Sequence, residues 1–238
     1  MKVLMIIPAY NEEESILNTV MSIVEYRKKV DFDLDYVVIN DGSVDRTKEI
    51  LDSHHLNAIH LVMNLGIGGA VQTGYKYALE KNYDVAVQFD GDGQHDIESL
   101  DALLEPIRRQ QADLVVGSRF IGDKSSEFQT TFMRRFGITI ISAFIKLTTG
   151  KRILDTTSGY RLANRDIIRQ FAARYPIKYP EPESIVHILK RKYKVVEAPA
   201  NMFERVGGVS SITPIKSIRY MIEVCSSILI AAFMKESE

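Results

Sequence analysis

An acidic stretch in the middle of the chain carries the residue types that bind hard cations. In the segment FDGDGQHD, Asp90, Asp92 and Gln94 alternate at every second position directly after a short apolar run. Alternate side chains of an extended chain point to one side, so these oxygen-bearing groups could share one cation. Two carboxylates and one amide are too few for a complete protein cage. The pattern favours Mg²⁺ or Mn²⁺ that keeps waters and takes substrate phosphates.

A glycine-rich segment, NLGIGG, does not fit the standard nucleotide-binding fingerprints. Gly66, Gly68 and Gly69 follow the third apolar run, whereas the dinucleotide fingerprint G-x-G-x-x-G follows the first strand of its unit. The sequence also lacks the phosphate loop G-x-x-x-x-G-K-[ST]. These glycines either let the backbone approach a ligand at a helix N-terminus or serve only a tight turn.

The elements that must position these residues alternate along the first half of the chain. Short runs rich in Val and Ile are separated by longer amphipathic segments, which predicts an α/β fold with a mostly parallel sheet flanked by helices. The polar motifs PAYNE, NDGS, NLGIGG, DGDGQHD and GSRF each follow one predicted strand. Ligands of such sheets bind at the carboxyl ends of the strands, so this placement indicates a site. The predicted strands are 3–7, 36–39, 59–62, 85–89 and 114–116, and the predicted helices are 13–28, 45–53, 68–80 and 97–110.

Several motifs in the same order resemble those of the family 2 glycosyltransferases of GT-A fold. They are VLMIIPAYNE from position 3, NDGS from position 40 and DGDGQH from position 90. GSRF at 117–120 and TSGYR at 157–161 are similar to the branch of dolichyl-phosphate mannose synthase and bacterial polyprenyl-phosphate glycosyltransferases. The resemblance spans positions 3 to about 211. It implies inverting transfer of a hexose from a UDP-, GDP- or dTDP-linked donor to a lipid-linked acceptor in cell-envelope glycan synthesis.

The resemblance also implies roles for single residues on the donor side. Pro8, Tyr10 and Glu12 match the segment that holds the base and ribose, and Asp41 matches the acid that hydrogen-bonds the base. Asn64, Gly69 and Ser158 are further candidate substrate contacts.

The same resemblance assigns residues to the diphosphate end of the donor. Asp90 and Asp92 match the metal and diphosphate motif, with Gln94 as a further metal ligand. Arg205 matches the R-x-x-G-x-S element that closes over the diphosphate, where Ser210 and the adjacent Ser211 would add hydroxyl donors.

Two arginines and an acid complete the expected catalytic set with Asp92. Arg119 and Arg161 resemble the basic residues near the transferred sugar and phosphates, and a guanidinium binds phosphate oxygens bidentately. A sugar hydroxyl acceptor needs a general base, whereas a lipid phosphate is already ionised. Glu183 is the candidate base, and Glu181 and Asp155 are further acids that could serve. Glu183 could instead merely begin a helix over 184–192, and Asp155 could instead orient an arginine.

Composition narrows the class of protein. The 238 residues are 45% hydrophobic and 26% charged, with net charge −1 and one cysteine, which predicts a folded protein without an internal disulfide. The N-terminus lacks the features of a secretory signal, which favours the cytoplasm, and the charge argues against a nucleic-acid binder.

Residues 1–118 carry 10 basic and 20 acidic residues, whereas 119–238 carry 20 and 11. The basic half suits phosphates or an anionic membrane surface.

The second half adds two apolar helices, predicted over 131–148 and 215–234. Either one could pack in the core or lie on a membrane interface; the second could also dock on a membrane partner protein or on another copy in a homo-oligomer.

The expected organisation is a catalytic domain over 1–211, with a donor half 1–118 and an acceptor half 119–211, followed by an amphipathic extension over 212–238. We therefore expect a peripheral enzyme at the inner face of the plasma membrane. The alternatives are a hydroxyl-directed transferase extending a surface polysaccharide, or a non-catalytic nucleotide-sugar-binding subunit.

Overall fold

A computed structural model describes residues 1–121, 132–203 and 214–233 of the chain. Within these ranges seven strands form a single sheet in the order β3-β2-β1-β4-β6-β5-β7, with β6 antiparallel to both of its neighbours and the other pairs parallel. The predicted α/β fold with a mostly parallel sheet is confirmed. The strands are β1 Lys2–Ala9, β2 Asp33–Asn40, β3 Ala58–His60, β4 Val85–Gln88, β5 Leu114–Ser118, β6 Arg161–Asn164 and β7 Val195–Pro199.

Helices cover both faces of this sheet, and a hydrophobic core lies on each side. A 3₁₀ turn at Ile97–Ser99 begins the segment that was predicted as one helix over 97–110. The helices are α1 Ile16–Arg27, α2 Thr47–Ser53, α3 Gly66–Glu80, α4 Leu100–Arg108, α5 Phe132–Thr149, α6 Arg165–Ala173, α7 Pro180–Lys190 and α8 Pro214–Phe233.

The sheet register brings the polar motifs to one edge. Ala9 at the end of β1 pairs with Asn40 at the end of β2, so the loops PAYNE and NDGS leave the sheet side by side. On the other side of β1, Ile6 pairs with Gln88, the last residue of β4. Because β6 is antiparallel and begins at Arg161 opposite Gln88, the loop before β6 lies at the same edge.

The two apolar helices of the second half have one buried face and one exposed face. Ile141 and Ile145 of α5 and Val224 and Ile228 of α8 are buried in the core cluster on one side of the sheet. Both helices therefore contribute to the core. Large apolar side chains remain exposed on their other faces: Phe136, Leu147, Ile222, Ile230 and Phe233. Across the described ranges, every helix is too short or too polar to cross a bilayer.

Candidate active site

A cavity of about 400 Å³ opens at the carboxyl edge of the sheet. The loops that follow β1, β2 and β4 form its wall together with the first turn of α3. Most of the motifs predicted to bind a ligand therefore meet at one place. The lining residues are Pro8, Ala9, Tyr10, Glu12, Asp41, Asn64, Gly66, Ile67, Ala70, Asp90, Gly91 and Asp92.

The loop after β1 is fastened to the loop after β2 by Asn11. Its backbone N–H donates to Ser43 Oγ at 3.0 Å, and its Oδ1 accepts from the backbone N–H of Val44 at 2.9 Å. Asn11 has a φ of +57°, a left-handed conformation that asparagine tolerates better than most residues. Sequence reasoning missed this residue, although an Asn between Tyr10 and Glu12 at a strand end was an available signal.

Asp41 lines the cavity at the start of the loop that follows β2. The residue is 3% exposed, and its Oδ1 accepts from the backbone N–H of Leu65 at 2.7 Å. Burial raises the pKa of this carboxyl above its ordinary value, while the nearby amides of Leu65 and Gly66 oppose that shift. Gly42 follows at φ +67°, where a Cβ would meet the Asn64 nitrogen at 2.8 Å, so the turn requires glycine.

We expect nucleoside binding to weaken at acidic pH because of Asp41. In its predicted role, an ionised Asp41 accepts a hydrogen bond from a base N–H. Since its pKa is raised, the carboxylate is present above that pKa and is lost as the pH falls through it. Affinity should then drop by about tenfold per pH unit. Titration calorimetry with uridine and guanosine, which lack phosphates, measures this without metal. Asp41→Asn should bind weakly at every pH, and a wild-type affinity that is constant across the acidic series would contradict the assignment.

Asp90 and Asp92 line the cavity at the end of β4. Their loop is held to α1, because Ser15 Oγ and Thr19 Oγ1 donate to the Gly91 carbonyl oxygen at 2.8 and 3.2 Å. Gln94 donates its backbone N–H to Asp92 Oδ1 at 3.1 Å. Its side-chain amide donates to the backbone oxygen of Phe203 at 3.4 Å, and Gln94 is not among the residues lining the cavity.

His95 lies behind Asp90. Its Nδ1 accepts from the backbone N–H of Asp90 at 3.1 Å, which assigns the proton of the neutral ring to Nε2, 3.6 Å from Asp90 Oδ2. The ring stacks on Tyr160 with centroids 4.9 Å apart. Burial lowers the pKa of His95 to about 4, so the imidazole is neutral at physiological pH. The ring supports the backbone and carboxylate of Asp90.

The donor set at the cavity fits a divalent cation that keeps exchangeable ligands. Among the residues that the structure describes, Glu12, Asp41, Asp90 and Asp92 give the wall four carboxylates, and no Lys or Arg lines it. Within the described residues, no group of three or more His, Cys, Asp or Glu side chains could hold a metal by itself. Asp90 and Asp92 therefore suit Mg²⁺ or Mn²⁺ bound jointly by carboxylates, waters and substrate phosphates.

Arg119 is buried against Asp155 and does not line the cavity. Its Nε and Nη2 donate to the two oxygens of Asp155 at 2.7 and 2.6 Å, and its backbone N–H donates to Oδ2 at 3.0 Å. The exposed fractions of the two side chains are 4% and 0%. Of the two readings of Asp155, the structure supports the one in which it orients an arginine. A phosphate contact of Arg119 stays a prediction.

Arg161 is also buried, with an exposure of 0%. Its guanidinium donates to the backbone oxygens of Ser158 and Glu181 at 2.8 and 2.6 Å and to Ser184 Oγ at 2.9 Å. Arg161 thus joins the loop before β6 to the first turn of α7. Ser158 is equally buried, and Glu183 lies in that first turn without lining the cavity.

The remaining predicted site residues either line the cavity, lie away from it or fall outside the described residues. Asn64 lines the cavity, and its Oδ1 accepts from the backbone N–H of Gly66 at 3.0 Å. Gly69 does not line the cavity; Gly66, which opens α3 at φ +76°, does. The predicted phosphate contacts Arg205, Ser210 and Ser211 lie outside the described residues.

Comparison with known proteins links this geometry to one family. The model of the family described as Glycosyl transferase family 2 matches residues 5–171. The undecaprenyl-phosphate mannosyltransferase of Micrococcus luteus is 35% identical over 175 residues, which cover 71% of this chain and 69% of the relative. The polyprenol monophosphomannose synthase of Mycolicibacterium smegmatis is 27% identical over 222 residues, covering 89% and 81%.

A solved structure shares the fold. Glucosyl-3-phosphoglycerate synthase from Mycobacterium tuberculosis, in complex with Mn²⁺, UDP-glucose and phosphoglyceric acid, superposes with a TM-score of 0.70. The match covers 99% of this chain and 81% of that chain at 16% identity. At this identity the likeness establishes the fold alone.

Proposed function

Since the chain belongs to glycosyl transferase family 2, as its motifs predicted, we propose that it transfers a hexose from a nucleotide sugar to a lipid-linked acceptor of polyprenyl-phosphate type, with Mg²⁺ or Mn²⁺. The main support is the acidic cavity at the carboxyl edge of the sheet, which Asp41, Asp90 and Asp92 line. We assign Asp41 to the base of the donor and Asp90 and Asp92 to its diphosphate. The Mn²⁺ and UDP-glucose held by the M. tuberculosis structure support a donor and cation of this kind.

The charges of the cavity explain why donor binding would depend on metal. A nucleoside diphosphate is an anion, and the four carboxylates that line the cavity among the described residues repel it. A bound divalent ion supplies positive charge to the diphosphate as negative charge grows there in the transition state. Asp90 and Asp92 would hold that ion, while Pro8, Tyr10 and the N–H groups at the start of α3 would position the nucleoside.

A lipid phosphate suits the acceptor side of this site. It is ionised at neutral pH and can attack the anomeric carbon without a general base, with inversion at that carbon. Among the described residues, the candidate base Glu183 does not line the cavity. The relatives named as undecaprenyl-phosphate and polyprenol transferases support the same class of acceptor and a role in cell-envelope glycan synthesis.

The exposed faces of α5 and α8 fit an anionic lipid surface. Phe136 and Leu147 of α5 are 56% and 80% exposed, and Phe233 of α8 is 83% exposed. The sequence from 132 to 154 contains no Asp or Glu, and its exposed basic side chains include Arg135 and Lys146. Apolar side chains beside basic ones favour peripheral binding to anionic lipid, here the cytoplasmic leaflet of the plasma membrane.

Two measurements on the same mixtures test the transfer reaction and the proposed contact of α5 and α8 with anionic lipid. Purified protein, Mn²⁺ and a panel of UDP-, GDP- and dTDP-sugars are mixed with anionic vesicles that contain or lack polyprenyl phosphate. We expect one donor to release its nucleoside diphosphate only with the lipid phosphate, sugar to enter the lipid phase, and EDTA to abolish both. Protein should sediment with anionic vesicles and far less with neutral ones, because the basic residues lose their partner charges.

The assay also separates the acceptors. Transfer that requires an added saccharide and ignores polyprenyl phosphate would contradict the lipid-phosphate proposal and favour a hydroxyl-directed transferase, for which Glu183→Gln is then the variant to test. Donor binding without transfer to either acceptor would favour a non-catalytic subunit. Equal sedimentation with anionic and neutral vesicles would contradict the charge-dependent membrane contact.

A further inference from the structure

A buried amide, that of Gln88, lies between two carboxylates beneath the cavity. The residue is 0% exposed at the end of β4. Its Nε2 donates to Asp90 Oδ1 at 3.4 Å, its side chain also hydrogen-bonds the Glu181 carboxylate, and its Oε1 accepts from the Tyr175 hydroxyl at 3.3 Å. Gln88 and Asp90 are two positions apart in extended chain, so their side chains project to the same side.

These partners allow the amide only one orientation. An ionised Asp90 carboxylate only accepts hydrogen bonds, so the NH₂ group must face Asp90, which leaves Oε1 for the Tyr175 hydroxyl. A flipped amide would set its oxygen against Asp90 Oδ1. Arg161 fixes the position of Glu181, because its guanidinium donates to the backbone oxygen of Glu181 at 2.6 Å and holds the first turn of α7.

Asp90 is confined on its other sides as well. A Cβ added at Gly159 would lie 2.4 Å from Asp90 Oδ2, so the backbone before β6 packs directly against this carboxylate. His95 Nε2 stands 3.6 Å from the same oxygen. Asp90 also lines the cavity. An amide, a backbone segment and an imidazole therefore lie against the carboxylate, and the amide contacts Oδ1.

We propose that Gln88 is a positioning residue for Asp90: together with Tyr175 and Glu181 it fixes the carboxylate rotamer and thereby sets the affinity of the site for its divalent cation. The inference rests on the proposed function, in which Asp90 is a metal ligand. Residues that hydrogen-bond a metal ligand typically change metal affinity by about 10- to 100-fold when they are replaced. Gln88 belongs to this class although it does not line the cavity.

The test measures Mn²⁺ binding directly. Electron paramagnetic resonance of free Mn²⁺, with nucleoside diphosphate present, gives the dissociation constant of wild type, Gln88→Met and Tyr175→Phe. We expect Gln88→Met to weaken Mn²⁺ binding by about tenfold. Tyr175→Phe should weaken it by less, since it removes only the hydrogen bond that Gln88 Oε1 accepts. In turnover assays, the Mn²⁺ activation constant should rise while kcat at saturating Mn²⁺ is largely retained.

Gln72→Met is the matched control. Gln72 is a partly buried glutamine of α3 whose Nε2 donates to the backbone oxygen of Ala172 at 3.3 Å, away from the cavity, so its loss should leave Mn²⁺ affinity unchanged. Absence of Mn²⁺ binding in wild type would overturn the proposed function itself. Wild-type affinity for Mn²⁺ in folded Gln88→Met and folded Tyr175→Phe would overturn only the role of Gln88. If Gln88→Met fails to fold, Tyr175→Phe decides alone, because phenylalanine keeps the ring packing against Tyr75 and Phe171.

Discussion

Asp92→Asn is expected to abolish sugar transfer while the protein stays folded. Asp92 lines the cavity, and a neutral amide there removes one of the two carboxylates proposed to hold a divalent cation. Metal stabilisation of a transition state contributes several kcal/mol, so turnover should fall by about 10³-fold or more. The measurement is nucleoside diphosphate release with the preferred donor and lipid acceptor across a Mn²⁺ series.

The matched control for this change is Asp31→Asn, an exposed carboxylate outside the cavity. It alters net charge by the same amount and should leave turnover and Mn²⁺ affinity at wild-type values. Thermal unfolding of both variants excludes loss of folded protein as the cause. Full turnover by Asp92→Asn at low Mn²⁺ would contradict metal-dependent transfer, and loss of turnover with unchanged Mn²⁺ affinity would move Asp92 from metal binding to another step.

The donor half of the fold was predictable because its signals are local. Runs of Val and Ile gave β1, β2, β4 and β5 to within a few residues, and each polar motif stands at a strand end. The third strand was predicted to extend to Val62, but β3 ends at His60 and Val62 is fully exposed. A residue's apolar character does not reveal whether the sheet continues long enough to cover it.

The acceptor half was less predictable because its strands depend on distant partners. β6 has four residues, begins with the charged Arg161 and lies antiparallel between β4 and β5, so neither apolar length nor alternation marks it. The family resemblance assigned Arg161 to the transferred sugar and the phosphates, and the bidentate chemistry of arginine agreed with that role. Its donors are instead directed to backbone oxygens of the loop before β6 and of α7, contacts between segments about 20 residues apart.

The site was predictable as a set of motifs but not as a set of distances. Asp41, Asp90 and Asp92 meet at one cavity because the register of parallel strands aligns their loops. The role of Gln88 could have been suspected from its position two residues before Asp90. Its contacts with Tyr175 and Glu181 could not, since no local pattern links β4 to residues about 90 positions away.

Asp155→Asn is expected to destabilise the whole protein strongly. Asp155 is 0% exposed and receives the Arg119 guanidinium at 2.6 and 2.7 Å, so its neutralisation leaves a buried positive charge without its counter-charge. Breaking such a pair from one side typically costs about 3–5 kcal/mol in the free energy of unfolding. Urea unfolding of wild type and variant, followed by circular dichroism, measures the difference as a shift of the midpoint.

An exposed ion pair of equal length is the control for that prediction. Arg109 Nε lies 2.6 Å from Glu105 Oε1, but both side chains are well exposed, and surface pairs contribute only about 0–1 kcal/mol. Glu105→Gln should therefore leave the midpoint almost unchanged. If Asp155→Asn unfolds with the wild-type midpoint and yet loses turnover, the pair serves catalysis, as predicted for Arg119 from sequence. If stability falls while the folded variant still binds donor, Asp155 and Arg119 hold the loop before β6 in place.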